Sequence, residues 1–395
     1  MHGRNEICYG LFNDSFPPVM DGVTLTVKSY AEWFLGEGIT PCVVTPRNPA
    51  MPHVPYPVLS YFSLPIASRP PYRYGYPRLD FSIRRRLRDM PLAIAHAHSP
   101  FSAGRLALYA SRSKGIPLIG TFHSKYRSDL EHSLRYAPFM VSCIMKRIIS
   151  FFRSCDQVWI PQREVEETVR EYGYEGPLEV VENGNDMARL DVEELPRNHV
   201  EARRRLGMDP DVPALLFVGQ HILEKGVRVI LDALLLLRDR GMPFVMNYIG
   251  TGYAVEELRR VVKRERLSHC VALHGVLHDR RLLADYYAAS DLFLFPSYYD
   301  NAPLVVREAA AMGTPSLIPS GSTAAGVIDH GHNGFLCPRT ARDYAEAIAS
   351  LSVDSASLRL AGRGARLSLV RSWDDVMREV ADRYSDLIAY HKRHD

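Results

Sequence analysis

Residues 292–314 read LFLFPSYYDNAPLVVREAAAMGT, and the order of residue types in them sets the fold. Leu292, Phe293, Leu294 and Phe295 make a short apolar run of the kind a parallel sheet buries on both faces. Pro296 stops it. A polar loop over 297–303 follows. Residues 304–312 then read as a helix whose small Ala309, Ala310 and Ala311 suit close packing on a sheet, ended by Gly313. The loop therefore lies beyond the carboxyl end of a strand and ahead of a helix N-terminus. Open α/β sheets bind ligands there, and unpaired N–H groups meet phosphate.

Two carboxylates mark that place, Asp300 in the loop and Glu308 on the second helical turn. Beside a phosphate site a carboxylate suits a pair of sugar hydroxyls, whose hydrogen bonds it accepts. That chemistry points to a sugar nucleotide. The stretch alone also admits a plainer reading, in which Asp300 caps the helix and Glu308 is a solvated helical residue.

The strand, loop, helix order recurs along the chain. Strands are expected at 7–12, 41–45, 92–98, 117–121, 158–161 and 178–182, and again at 214–218, 244–249, 271–273, 292–295 and 316–319. Helices are expected between them, among others at 24–36, 102–114, 137–154, 254–265 and 279–290, and the Pro-rich passage 46–77 reads as a long surface connection. With 395 residues the chain suits two cores. The pattern is α/β, two doubly wound Rossmann-like domains facing across a cleft: 1–186, a polar linker with a short helix at 187–213, and 214–375.

Composition narrows the function classes. No window offers the long uncharged apolar run of a membrane span, and residues 1–20 lack a signal-peptide core, so a cytoplasmic protein is expected. The six cysteines are scattered without a CxxC pair, against both a zinc site and a disulfide framework. A net charge of +3 gives nucleic acid binding no global electrostatic support. One local cluster stands out: Arg69, Arg73, Arg78, Arg84, Arg85, Arg86 and Arg88 lie among Tyr72, Tyr74, Tyr76 and Phe81. Such a mixture could dock on an anionic bilayer; a solvated basic helix with ordinary loop aromatics explains it equally well.

Other polar residues sit at strand ends. His98 and Ser99 follow one strand, His123 and Ser124 the next, where a histidine could meet a sugar hydroxyl or simply pack. Gly22 could let backbone approach a ligand or merely serve a turn. Lys225, just ahead of a leucine-rich helix, could neutralise a diphosphate or be a surface lysine.

Taken together, these landmarks resemble glycosyltransferase family 4, retaining enzymes of the two-domain GT-B fold, over essentially the full length of the chain. The matching stretches are 17–23, His98-Ser99-Pro100-Phe101, Thr121-Phe122-His123, 181–186, Phe217-Val218-Gly219 with Glu224-Lys225-Gly226, Ile249-Gly250-Thr251-Gly252, Phe295-Pro296-Ser297 with Asp300 to Glu308, and 331–336. The resemblance implies that Glu308 binds the ribose, Asp300 the transferred sugar and Lys225 the diphosphate. It further implies donor contacts from Gly22, Gln220, Gly252, Asn301 and the N–H groups of Leu304 and Val305. His123 would reach the sugar, Asp21, His98 and Ser124 would lie on the acceptor side, and a last helix at about 376–395 would return to the first domain. Three residues depart from the family pattern: Asp300 stands for glutamate, Gln220 for arginine and Pro303 for glycine. The implied reaction moves a hexose from a nucleotide sugar with retained configuration, with no cofactor and no required metal ion. The start FNDSFPPVMDGV and the segment GTFHSKYRSDL look most like the diacylglycerol glucosyltransferases. That implies UDP-glucose, a lipid acceptor and peripheral contact with an anionic membrane through residues 69–88. GDP-mannose, a soluble glycan acceptor, or nucleotide-sugar binding without turnover are the alternatives.

Overall fold

The computed structural model describes residues 7–66, 71–133, 137–187, 192–298 and 300–394. Arg69 of the basic cluster lies outside them. The chain divides into two compact units, Met1–Gly184 with Trp373–Asp395, and Asn185–Ser372.

In the first unit, β1 (Cys8–Phe12), β2 (Thr40–Pro46) and β3 (Val58–Tyr61) are followed by a small antiparallel hairpin, β4 (Ser63–Pro65) and β5 (Arg73–Gly75). Then come β6 (Leu92–Ala97), β7 (Leu118–Thr121), β8 (Gln157–Ile160) and β9 (Glu179–Val180). The main sheet runs in the order β3-β2-β1-β6-β7-β8-β9 and every pair is parallel. One face packs on helices Ser102–Lys114 and Pro138–Phe152 through Phe122, Ile148 and Phe152. The other is covered by helix Gly22–Gly36 and by helix Trp373–His394, whose Val376, Met377, Val380, Tyr384 and Leu387 repeat at helical spacing. Each such side chain, fully buried, contributes roughly 1.5–3 kcal/mol. Tyr384 stacks on Phe34 at 5.5 Å and meets Tyr9 edge-on at 5.3 Å.

The second unit carries β10 (Ala214–Val218), β11 (Val245–Ile249), β12 (Val271–Leu273), β13 (Leu292–Leu294), β14 (Ser316–Pro319) and β15 (Phe335–Cys337). Their order is β12-β11-β10-β13-β14-β15, again all parallel. The order reverses direction between β10 and β13, so their carboxyl ends flank a topological switch point. The opening stretch folds as its residue types dictate: β13 is completely buried, and helix Leu304–Ala311 lays Ala309, Ala310 and Ala311 on the core.

Three expectations are corrected. The passage 46–77 is not merely a connection, because it contains β3, β4 and β5 and buries Tyr61 completely. The stretch 187–213 holds the expected short helix, Leu195–Leu206, but belongs to the second unit rather than linking the two, because that helix packs Ala202 into the second core and Arg203 donates to the carbonyl of Ala289 and to Asp291. The first helix begins at Gly22 rather than Thr24, and the last at Trp373.

Candidate functional site

At the switch point of the second unit the chain leaves β10 through Gly219, Gln220 and His221, makes a short turn at Leu223–Lys225 and enters helix Val227–Asp239. Gly226 has φ +73° and a Cβ there would meet the Pro296 carbonyl at 2.5 Å, so the turn lies against the exit of β13. That packing delivers Lys225 to Asp300, with Nζ 2.9 Å from Oδ1. The other oxygen, Oδ2, accepts from Ser297 Oγ at 2.7 Å. Lys225 Nζ also lies 5.9 Å above the Phe295 ring. Both charged side chains are largely withdrawn from solvent, at 14% and 17% exposure, so their attraction is less screened than that of a surface pair.

The plainer readings of the two carboxylates do not hold. Helix Leu304–Ala311 is capped at Pro303 with no side-chain bond, so Asp300 is not its cap. Glu308 is 7% exposed and not solvated. Its Oε2 accepts from Tyr287 Oη at 2.8 Å and its Oε1 from Arg280 Nη2 at 2.8 Å. Arg280 also forks onto Asp186, from Nε at 3.1 Å and Nη2 at 2.6 Å. Burial opposes the Arg280 charge, but the Glu308 and Asp186 carboxylates outweigh it and raise the guanidinium above its ordinary value. Burial first, and then Glu308, hold the Tyr287 hydroxyl well up, so it remains a donor. Neither Arg280 nor Tyr287 was found from the sequence. Their spacing of seven places both on one face of helix Arg280–Ala289, which is the signal that could have found them.

The remaining donor-side candidates lie around these groups. Leu304 and Val305 are partly exposed in the first turn, where N–H groups have no carbonyl of their own helix to bond. Gln220 is partly exposed and Asn301 is buried. Gly250 and Gly252 have a structural role apart from any ligand. A Cβ on Gly250 would fall on the Gly219 carbonyl oxygen and one on Gly252 on that of His221, so the turns after β10 and β11 touch backbone to backbone. Among the described residues no group of three or more His, Cys, Asp or Glu is arranged to hold a metal ion.

In the first unit the candidates fall differently. Asp21 caps helix Gly22–Gly36 by accepting from the Thr24 N–H at 2.7 Å, and its other oxygen accepts from Tyr72 Oη at 2.8 Å. Gly22 is therefore the first residue of a capped helix, not a loop glycine. His98 is corrected as well. At 1% exposure it is interior, its ring 4.0 Å from that of His96, and its Nδ1 is 3.1 Å from His123 Nε2. His96 in turn bonds Tyr384 Oη and Thr121 Oγ1, each at 2.6 Å. Burial lowers all three imidazoles, His123 to about 4, so His123 is a neutral, partly exposed ring held from beneath by His98. Ser124 lies beside it, partly exposed. The sequence missed Asp14, beyond β1, which accepts from Ser99 Oγ, Ser102 Oγ and the Ala103 N–H and ties the ends of β1 and β6 together.

The arginine-aromatic cluster divides into inner and outer members. Arg73 donates to Ser63, Arg86 to the Ser60 carbonyl, and Arg84 lies 5.1 Å over the Tyr109 ring. Arg78, Arg84, Arg85 and Arg88 are exposed, and so are Leu64, Tyr74, Leu79 and Phe81, the last at 93%. Among the described residues no helix is long and apolar enough to cross a membrane.

Two doubly wound units with all-parallel main sheets, the second with a carboxylate and lysine at its switch point, define the GT-B class. The crystal structure of Anabaena Alr3699/HepE in complex with UDP-glucose shares this fold, with a TM-score of 0.76 at 18% identity over 96% of this chain and 100% of that one. Residues 20–189 match the family model described as Glycosyltransferase Family 4, and residues 212–354 the one described as Glycosyl transferases group 1. The chain belongs to glycosyltransferase family 4. It is similar to an alpha-monoglucosyldiacylglycerol synthase of Streptococcus pneumoniae, 21% identical over 78% of this chain and 69% of the relative. It is also similar to a D-inositol 3-phosphate glycosyltransferase of Streptomyces bingchenggensis, 31% identical over 59% of this chain and 53% of the relative, about half its length.

Proposed function

We propose that this glycosyltransferase moves glucose from UDP-glucose to the hydroxyl of a lipid, diacylglycerol in the first instance, and retains the anomeric configuration. The carrying observation is the constellation of Lys225, Asp300 and Ser297 at the switch point, with the Glu308 carboxylate on the adjoining helix. Glu308 accepts the ribose hydroxyls and Asp300 those of the transferred sugar. As Asp300 takes up sugar hydroxyls, Lys225 turns its charge to the diphosphate, joined by the N–H groups of Leu304 and Val305. These groups stabilise the charge that grows as the bond from anomeric carbon to phosphate oxygen breaks. The acceptor oxygen attacks the same face and its proton passes to the departing phosphate. Lys225 and the helix N-terminus supply the positive charge, so the reaction as proposed needs no divalent ion. In the first unit, His123 offers a neutral imidazole for one hydrogen bond to a sugar hydroxyl.

The lipid acceptor is supported by the diacylglycerol relative and by the exposure of Phe81, Leu79, Tyr74 and Leu64 together with Arg78, Arg85 and Arg88 within one stretch of the sequence. Such a surface suits peripheral docking on an anionic bilayer from the cytoplasm. The inositol-phosphate relative favours a second reading, a small soluble polyol acceptor. A donor screen tests both: release of nucleoside diphosphate from UDP-glucose, UDP-galactose, UDP-N-acetylglucosamine and GDP-mannose, with and without anionic vesicles containing diacylglycerol. Release from UDP-glucose that rises with vesicles is expected. Release indifferent to vesicles moves the acceptor to soluble compounds, and silence with every donor overturns turnover itself.

A further inference from the structure

Glu308 is a buried carboxylate whose two oxygens are already engaged, one by Tyr287 from the protein interior and one by Arg280 from the solvent side. A buried, unpartnered carboxylate would be costly to keep charged and free to rotate. Here neither happens. Arg280 is tied by two N–H bonds to Asp186, which fixes the plane of its guanidinium, and the same Nη2 reaches Glu308. Exposure of the three side chains runs from 55% at Asp186 through 41% at Arg280 to 9% at Glu308, so the chain of charges runs from solvent inward. A carboxylate has about four lone-pair positions, and these two donors leave roughly two for a ligand.

We infer that Arg280 and Tyr287 are positioning residues for nucleotide recognition, holding the Glu308 carboxylate charged and oriented so that its free lone pairs select a ribose carrying both its 2′ and 3′ hydroxyls. This rests on the reading of Glu308 as the ribose-binding carboxylate. Asp186 is the outer anchor of the device, two residues after Gly184, where the first stretch of the first unit ends.

The test compares binding of UDP, 2′-deoxy-UDP and 3′-deoxy-UDP to the unmodified chain and to the Arg280→Gln and Tyr287→Phe variants, by titration calorimetry. The unmodified protein should prefer UDP over either deoxy form by about tenfold or more, the worth of a hydrogen bond to a charged group. Arg280→Gln should weaken UDP by about tenfold and the deoxy forms much less, collapsing the preference. Tyr287→Phe, which keeps the ring and its packing, should collapse it in the same way. A variant that weakens all three nucleotides by one factor, or leaves the preference intact, overturns the positioning role while sparing Glu308. Equal binding of the three nucleotides by the unmodified protein instead removes the ribose reading of Glu308, and the inference with it.

Discussion

Lys225 and Asp300 hold each other in a partly buried ion pair, and in the reaction proposed above the donor takes up both. Lys225→Ala should lower turnover by about 10²–10³-fold, the usual cost of removing one group that meets developing charge. Asp300 keeps its bond from Ser297, so the fold should survive, and a melting curve alongside the rate separates the two effects. A near-normal rate in a folded variant would remove Lys225 from the mechanism. The positions of Lys225, Asp300 and Glu308 were legible because strand, loop and helix follow one another directly in sequence. What held Glu308 was not, because its partners come from a helix 21 and 28 residues earlier. His98 was misplaced for another reason. A strand's end tells where a residue sits along the sheet but not how deep, although the alternate spacing of His96 and His98 already put both on one face.

At the scale of elements, the turns after β10 and β11 are packed backbone to backbone, and that closeness fixes where Lys225 emerges. Gly250 has φ +130° and no room for a Cβ beside Gly219, so Gly250→Ala should destabilise the second unit by about 2–4 kcal/mol. Gly36 ends a helix, and a Cβ added there would meet nothing within 4 Å, so Gly36→Ala should stay within about 0.5 kcal/mol. Urea denaturation of both variants checks the contrast. Elements built on long, regular apolar runs were readable, β10 and β13 above all. The strands inside 46–77 were not, since Pro57 and Pro65 break the alternation that marks a strand while the fold uses them at strand ends. A short helix within 187–213 was readable, but not that it packs into the second core, because its exposed face is rich in arginine and its buried contribution is small.

For the whole molecule, the decisive feature is that the two units divide the chain unequally: the second is one continuous stretch, and the first is completed only by residues from 373 onward. Removing 373–395 would strip Val376, Met377, Val380, Tyr384 and Leu387 from the face that covers Tyr9, Phe34 and Trp159. It would also take from His96 the hydroxyl of Tyr384. The truncated protein should lose the first unit to limited proteolysis while the second stays resistant and still binds UDP. Loss of both together, or of neither, would contradict that division. The order of synthesis gives the same feature a further meaning. On the ribosome the first unit emerges first yet lacks one covering of its sheet until the second has been made, so the domain begun earliest is finished last. An aromatic sheet face then waits uncovered through the translation of nearly two hundred codons. Chaperone demand during expression should therefore track the first unit, and a stop codon late in the message should be as damaging to the start of the protein as to its end.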